Sequence, residues 1–127
     1  MTNKRFTNKM KEELATEIFN WLVDHELWTD VCIYFNGKCW STSNEKNTEF
    51  CYNERKYFEY EAEPTDYFAY VRKPNILSMS FEGGLYDVLN GYSYGWVKRE
   101  NEFKKIFEKY GLYFELGDAW NLSCYTY

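Results

Sequence analysis

One histidine, two prolines and no Cys-x-x-Cys pair narrow the chemistry open to this 127-residue chain. A single imidazole leaves no second ring for the histidine pairs common in metal sites. The cysteines Cys32, Cys39, Cys51 and Cys124 are scattered, and their spacing fits no zinc-ligand pattern. No metal or other cofactor is therefore expected. Two prolines and seven glycines leave no proline-rich or glycine-rich linker, so one domain is expected rather than two. Nowhere does the chain approach the run of about 18 apolar residues that a membrane span requires. Lys4 and Arg5 have no apolar stretch behind them, which predicts no secretory signal, a cytoplasmic location and reduced thiols. The sequon at Asn121-Leu122-Ser123 is then expected to stay unmodified.

Positive charge is also in deficit. Acids outnumber bases 20 to 15, for a net charge of −5. Nonspecific nucleic-acid binding needs the opposite sign, because Lys and Arg make the phosphate contacts. The basic run Lys4, Arg5, Lys9 and Lys11 reads as the solvated start of a helix, and direct nucleic-acid binding is not expected.

What the chain has in abundance is apolar and aromatic surface: 45% hydrophobic residues, with 13 Tyr, 10 Phe and 5 Trp. That surface excludes disorder and is enough for a core without disulfides or metal. Phe, Tyr, Asn and Lys are favoured over Gly, Ala, Arg and Pro, which points to AT-rich coding and a low-GC bacterium or its phages and plasmids.

Residues 8–26 place Met10, Leu14, Ala15, Ile18, Phe19, Trp21 and Leu22 on one half of a helical wheel, with Glu12, Glu13, Glu17 and Asp24 on the other. Residues 31–35 and 38–42 flank Asn36-Gly37, the strongest short signal for a type I′ hairpin turn. That register puts Val31, Ile33, Phe35 and Trp40 on the core face and makes Cys32 and Cys39 diagonal neighbours on the outer face. Residues 43–56 read as a long loop. Strands are predicted at 57–63, 67–71 and 75–81, helices at 85–90 and 99–110, and a closing hairpin at 112–116 and 119–125. The fold class is α+β: a single domain with a mostly antiparallel sheet of about five to seven strands, an N-terminal amphipathic helix, and two later helices packed on one face.

Gly91-Tyr92-Ser93-Tyr94-Gly95 matches the nucleophile-elbow pattern G-x-S-x-G. That elbow needs a strand before it and a helix after it, with the histidine later in the chain. Here a short helix precedes Ser93, and His25 comes earlier, so Ser93 reads as a turn residue. His25 falls in the last turn of the first helix, where a dipole-facing structural role explains it. Gly83-Gly84 lacks the lysine and spacing of a phosphate loop. No catalytic residue is nominated.

One constellation remains. Glu59, Glu61 and Glu63 alternate on one face of a strand, preceded by Tyr57 and followed by Asp66. Same-face carboxylates stand about 6.6–7 Å apart, close to the through-space spacing of phosphates along a nucleic-acid strand. Charge on an edge strand also simply prevents aggregation. The expectation is a small acidic, non-catalytic inhibitor encoded by a phage or mobile element, of the anti-CRISPR, antirestriction or immunity-protein kind. It would use Tyr57, Glu59, Glu61, Glu63 and Asp66 as a DNA mimic against a nuclease or other nucleic-acid enzyme. The alternatives are a small-molecule-binding domain or minor enzyme with an aromatic-lined pocket between sheet and helices, and a self-associating structural subunit.

Overall fold

Thr7 starts the first element: its hydroxyl accepts from the Met10 backbone N–H at 3.1 Å and caps helix α1, Asn8–Asp24. Leu14, Ala15, Ile18, Phe19 and Leu22 are its buried stripe, as the wheel predicts. The computed structural model describes residues 6–69, 71–72 and 74–127. Helix α1 stops two residues short of the sequence expectation, because Glu26 turns into the left-handed region at φ 57°.

A hairpin follows, β1 Val31–Phe35 and β2 Lys38–Ser41, in the predicted register with Ile33 opposite Trp40. Its turn is the expected one: Asn36 and Gly37 have φ of 53° and 76°. Strand β3, Phe58–Glu61, pairs with β2 and, among the described residues, forms one edge of the sheet. Residues 67–71 are a correction. Among the described residues there, none forms a strand; a 3-10 turn at Pro64–Asp66 leads into irregular chain, and Tyr70 lies outside the described residues. Phe68 is instead pulled under the sheet, where its ring meets Tyr34 at 5.7 Å and Trp120 at 5.8 Å.

Strand β4, Leu77–Phe81, returns on the far side of β1. Helices α2, Gly84–Leu89, and α3, Trp96–Glu108, come next. The hairpin β5, Leu112–Leu116, and β6, Asn121–Thr126, closes the fold. The sheet is antiparallel throughout, with strand order β3-β2-β1-β4-β6-β5. The fold is thus a single α+β domain, with six strands and three α-helices among the described residues.

Period-two alternation divides the sheet into two faces. Val31, Ile33, Phe35, Trp40, Leu77, Met79, Phe81, Leu122 and Cys124 face the helices and share one core with α1, α2 and α3. Trp28 plugs that core. It is fully buried, its indole N–H donates to the Lys56 carbonyl at 2.8 Å, and Asn53 accepts from its backbone N–H at 3.0 Å. These bonds tie down the 43–56 loop, which is ordered around them. The other face carries a smaller cluster of Tyr34, Cys39, Ala62 and Phe68. The same face carries the hydroxyls of Ser41, Ser78, Ser80 and Ser123.

Candidate functional site

Two surface features hold the chemistry-bearing side chains, and each follows from the strand order. The first is the β3 edge. Phe58, Glu59, Tyr60 and Glu61 pair with Ser41, Trp40, Cys39 and Lys38 respectively, so Glu59 and Glu61 share the helix-side face with Trp40 and Lys38. Glu59 accepts from the Trp40 indole N–H at 2.8 Å and lies 3.4 Å from the Lys38 ammonium. Lys38 also lies 3.6 Å from Glu12 of α1. The Trp40 hydrogen bond, reinforced by Lys38, holds the Glu59 carboxyl below its ordinary range, so it remains ionised.

The sequence-predicted residues separate here. Tyr57 stacks on Trp40, with ring centroids 4.3 Å apart, and meets Phe19 edge-on at 5.3 Å, yet keeps 38% of its surface exposed. Burial and the nearby Glu59 raise its phenol pKa. Glu61 and Glu63 are exposed, Glu63 lying just past the end of β3 beside Gly37. Asp66 is exposed but belongs to the 3-10 turn between Ala62 and Phe68, both of which cover the outer face. The structure thus brings Glu12 into the acidic group, and places Lys38 within it. Sequence spacing did not point to either one, because Glu12 arrives by the way α1 lies across the hairpin and Lys38 by the pairing of β2 with β3.

The second feature is a cavity of about 330 Å³ on the outer face, whose lining includes Asp30, Cys32, Tyr34, Ser41, Ser80 and Glu82. Cys32 donates to the Ser41 hydroxyl at 3.2 Å, and the Tyr34 and Ser80 hydroxyls are 3.4 Å apart. Ser41 in turn accepts from the Ser43 backbone N–H at 3.0 Å. Cys39, two residues out of register with Cys32 across β1 and β2, is completely buried beside it. Hydrogen bonding from Cys39, then from Ser41, Tyr34 and Ser80, holds the Cys32 thiol below its usual range despite burial. Cys39 is driven the other way by its bond to Cys32 and by burial. The hairpin register made these two cysteines neighbours in the sequence. Ser80 could not be foreseen, because it arrives from β4.

The remaining motifs are structural. Ser93 lies in the turn between α2 and α3, where its hydroxyl donates to the Tyr94 carbonyl at 3.4 Å. His25 caps α1, packs on Trp21 at 4.7 Å, and lies 3.9 Å from Glu102. Lys9 and Lys11 belong to the first turns of α1, whereas Lys4 and Arg5 lie outside the described residues. All four cysteines are free thiols. No group of three or more metal-ligating side chains occurs among the described residues, and no described helix is long and apolar enough to cross a membrane. Comparison of the chain with protein-family models, curated proteins and solved structures returns no match.

Proposed function

We propose that this protein is a small acidic, non-catalytic inhibitor, carried by a phage or other mobile element, that binds a basic groove of a nucleic-acid enzyme. One observation carries the reading: Lys38 on β2 lies between Glu12 and Glu59, Glu61 stands opposite it on the edge strand β3 with Glu63 just beyond, and a half-exposed tyrosine beside them is already held in place on Trp40. Ordered carboxylates cost less conformational entropy on binding than free ones, and a rigid aromatic beside them supplies apolar contact area. The net charge of −5 steers such a surface toward basic partners.

The test is capture from a low-GC bacterial lysate, followed by an activity assay on the captured enzyme. Glu59 braces Trp40, so the first variant reverses only Glu61 and Glu63 to lysine, and a second reverses Glu59 as well. The expected outcome is capture and inhibition of a nuclease or other nucleic-acid enzyme by the parent chain, with loss of both in the variants while circular dichroism is unchanged. Inhibition retained by folded variants, or capture of no such enzyme, overturns the reading. The outer-face cavity favours a second reading, a small-molecule-binding domain. Its ligand would bind on the face away from the helices rather than between sheet and helices.

A further inference from the structure

Two asparagines in the chain precede a glycine, at Asn36-Gly37 and Asn90-Gly91. With no side chain on the following residue, the backbone nitrogen next to each asparagine side chain is unshielded, so the two pairs are equally reactive as sequences. The fold makes them unequal. Asn36 and Gly37 are exposed at the tip of the β1–β2 hairpin. Among the described residues the Asn36 side-chain amide makes one hydrogen bond, from Nδ2 to the Asn8 carbonyl at 3.0 Å. The Gly37 backbone N–H finds no acceptor among those residues. Asn90 is half-buried at the end of α2, and its Nδ2 donates to two carbonyls, Tyr86 at 2.9 Å and Ala119 at 2.8 Å. The Gly91 N–H donates to the Val88 carbonyl at 3.4 Å. Asn90 must give up three hydrogen bonds to react, and Asn36 only one. Two extra bonds to break slow Asn90 by about tenfold or more.

We propose that Asn36 is a site of spontaneous deamidation, at which the first hairpin turn converts to aspartate or isoaspartate with water as the only co-reactant. The Gly37 backbone nitrogen loses its proton to solvent and attacks the Asn36 Cγ. An N–C bond forms, the Cγ–Nδ2 bond breaks, and ammonia leaves after taking a proton from water. Water then opens the resulting succinimide at either carbonyl, one opening giving aspartate and the other isoaspartate, with no change of redox state. Either product loses the donor to the Asn8 carbonyl and adds one negative charge to the hollow that Asn36 shares with Lys11 and Glu63. Isoaspartate does more, because it routes the main chain through Cβ. The extra atom enters a two-residue loop whose φ values of 53° and 76° set the pairing of β1 with β2.

The test holds the folded protein in mildly alkaline buffer and follows the peptides containing Asn36 and Asn90 by mass spectrometry, with fragmentation to separate aspartate from isoaspartate. The expected result is conversion at Asn36 about tenfold or more faster than at Asn90, at a rate that rises with pH. In urea the two sites should react at similar rates, which assigns the preference to the fold. Gly37→Ala should slow conversion at residue 36 in urea as well as in the folded chain, and leave Asn90 unchanged. Equal rates at the two sites of the folded protein, or Asn90 reacting first, overturn the proposal. So does an intact Asn36 after an interval in which the unfolded chain converts fully.

Discussion

Single residues carry unequal weight in this fold, and Trp28 joins the core to the 43–56 loop. Its ring is fully buried edge-on to Phe19 at 5.0 Å, and its indole N–H is the partner of the Lys56 carbonyl. Trp28→Phe keeps an aromatic ring but leaves a small void and an unpaired carbonyl, a combined loss of about 2–4 kcal/mol. Urea unfolding should show it as a lower midpoint with an unchanged slope; a midpoint within error of the parent would refute that assignment. Glu17 is a different case. It accepts from the Tyr110 hydroxyl at 2.7 Å and from Lys109 at 2.9 Å, joining α1 to the segment after α3. Burial pushes its carboxyl pKa up, but the bonds from Lys109 and Tyr110 outweigh burial, and the net shift is downward. A carboxyl with a lowered folded pKa stabilises the fold above its unfolded value of 4.5, and the contribution is lost as pH falls through the folded value. Tyr110→Phe should therefore cost about 0.5–1.5 kcal/mol at pH 7 and less in strong acid. Equal losses at both pH values would show that the bond to ionised Glu17 is not the cause.

At the scale of elements, the two tight connections around β1 and β4 differ in what constrains them. At Gly37 an added methyl would meet only Glu63, at 3.6 Å, so Gly37→Ala is opposed by the left-handed backbone alone and should cost about 1–2 kcal/mol. At Gly83 the backbone φ is −97°, but a Cβ would lie 2.6 Å from the Thr29 carbonyl oxygen, which is a backbone atom and cannot step aside. Gly83→Ala should accordingly move the start of α2 and cost about 1–3 kcal/mol or more. A thermal melt of both variants ranks them, and Gly37→Ala proving the more damaging would contradict this account. The elements most legible in the sequence were those whose own period met a local signal. The α1 stripe and the Asn36-Gly37 hairpin both appear as the residues predict. The expected strand at 67–71 failed because alternation over five residues does not specify a partner, and the aromatic Phe68 found burial against Tyr34 and Trp120 instead.

For the molecule as a whole, the pH dependence of stability is set by paired carboxylates. Glu17 and Glu59 both have folded pKa values below 4.5, so their contribution to the urea midpoint should be lost as the pH falls below about 4.5. Glu17→Gln should reduce that loss. Because all four cysteines are free, adding a reductant should leave the midpoint unchanged, and any shift would reveal a disulfide absent from this fold. The candidate sites divide by origin. The carboxylate alternation of Glu59 and Glu61 and the diagonal placement of Cys32 and Cys39 were readable because strand period and a two-residue turn fix them locally. Tertiary structure alone set Lys38 between Glu12 and Glu59, moved Asp66 out of the acidic row, and brought Ser80 beside Cys32. By itself, then, the sequence determined the composition of the core, the α+β class, the faces of α1 and of the first hairpin, and the net charge. These depend on solubility of side chains and on periodicities within one element. Strand order, and with it both surface features, was decided by which distant segments could cover one another's apolar faces, a competition between long-range contacts that no short stretch of residues encodes.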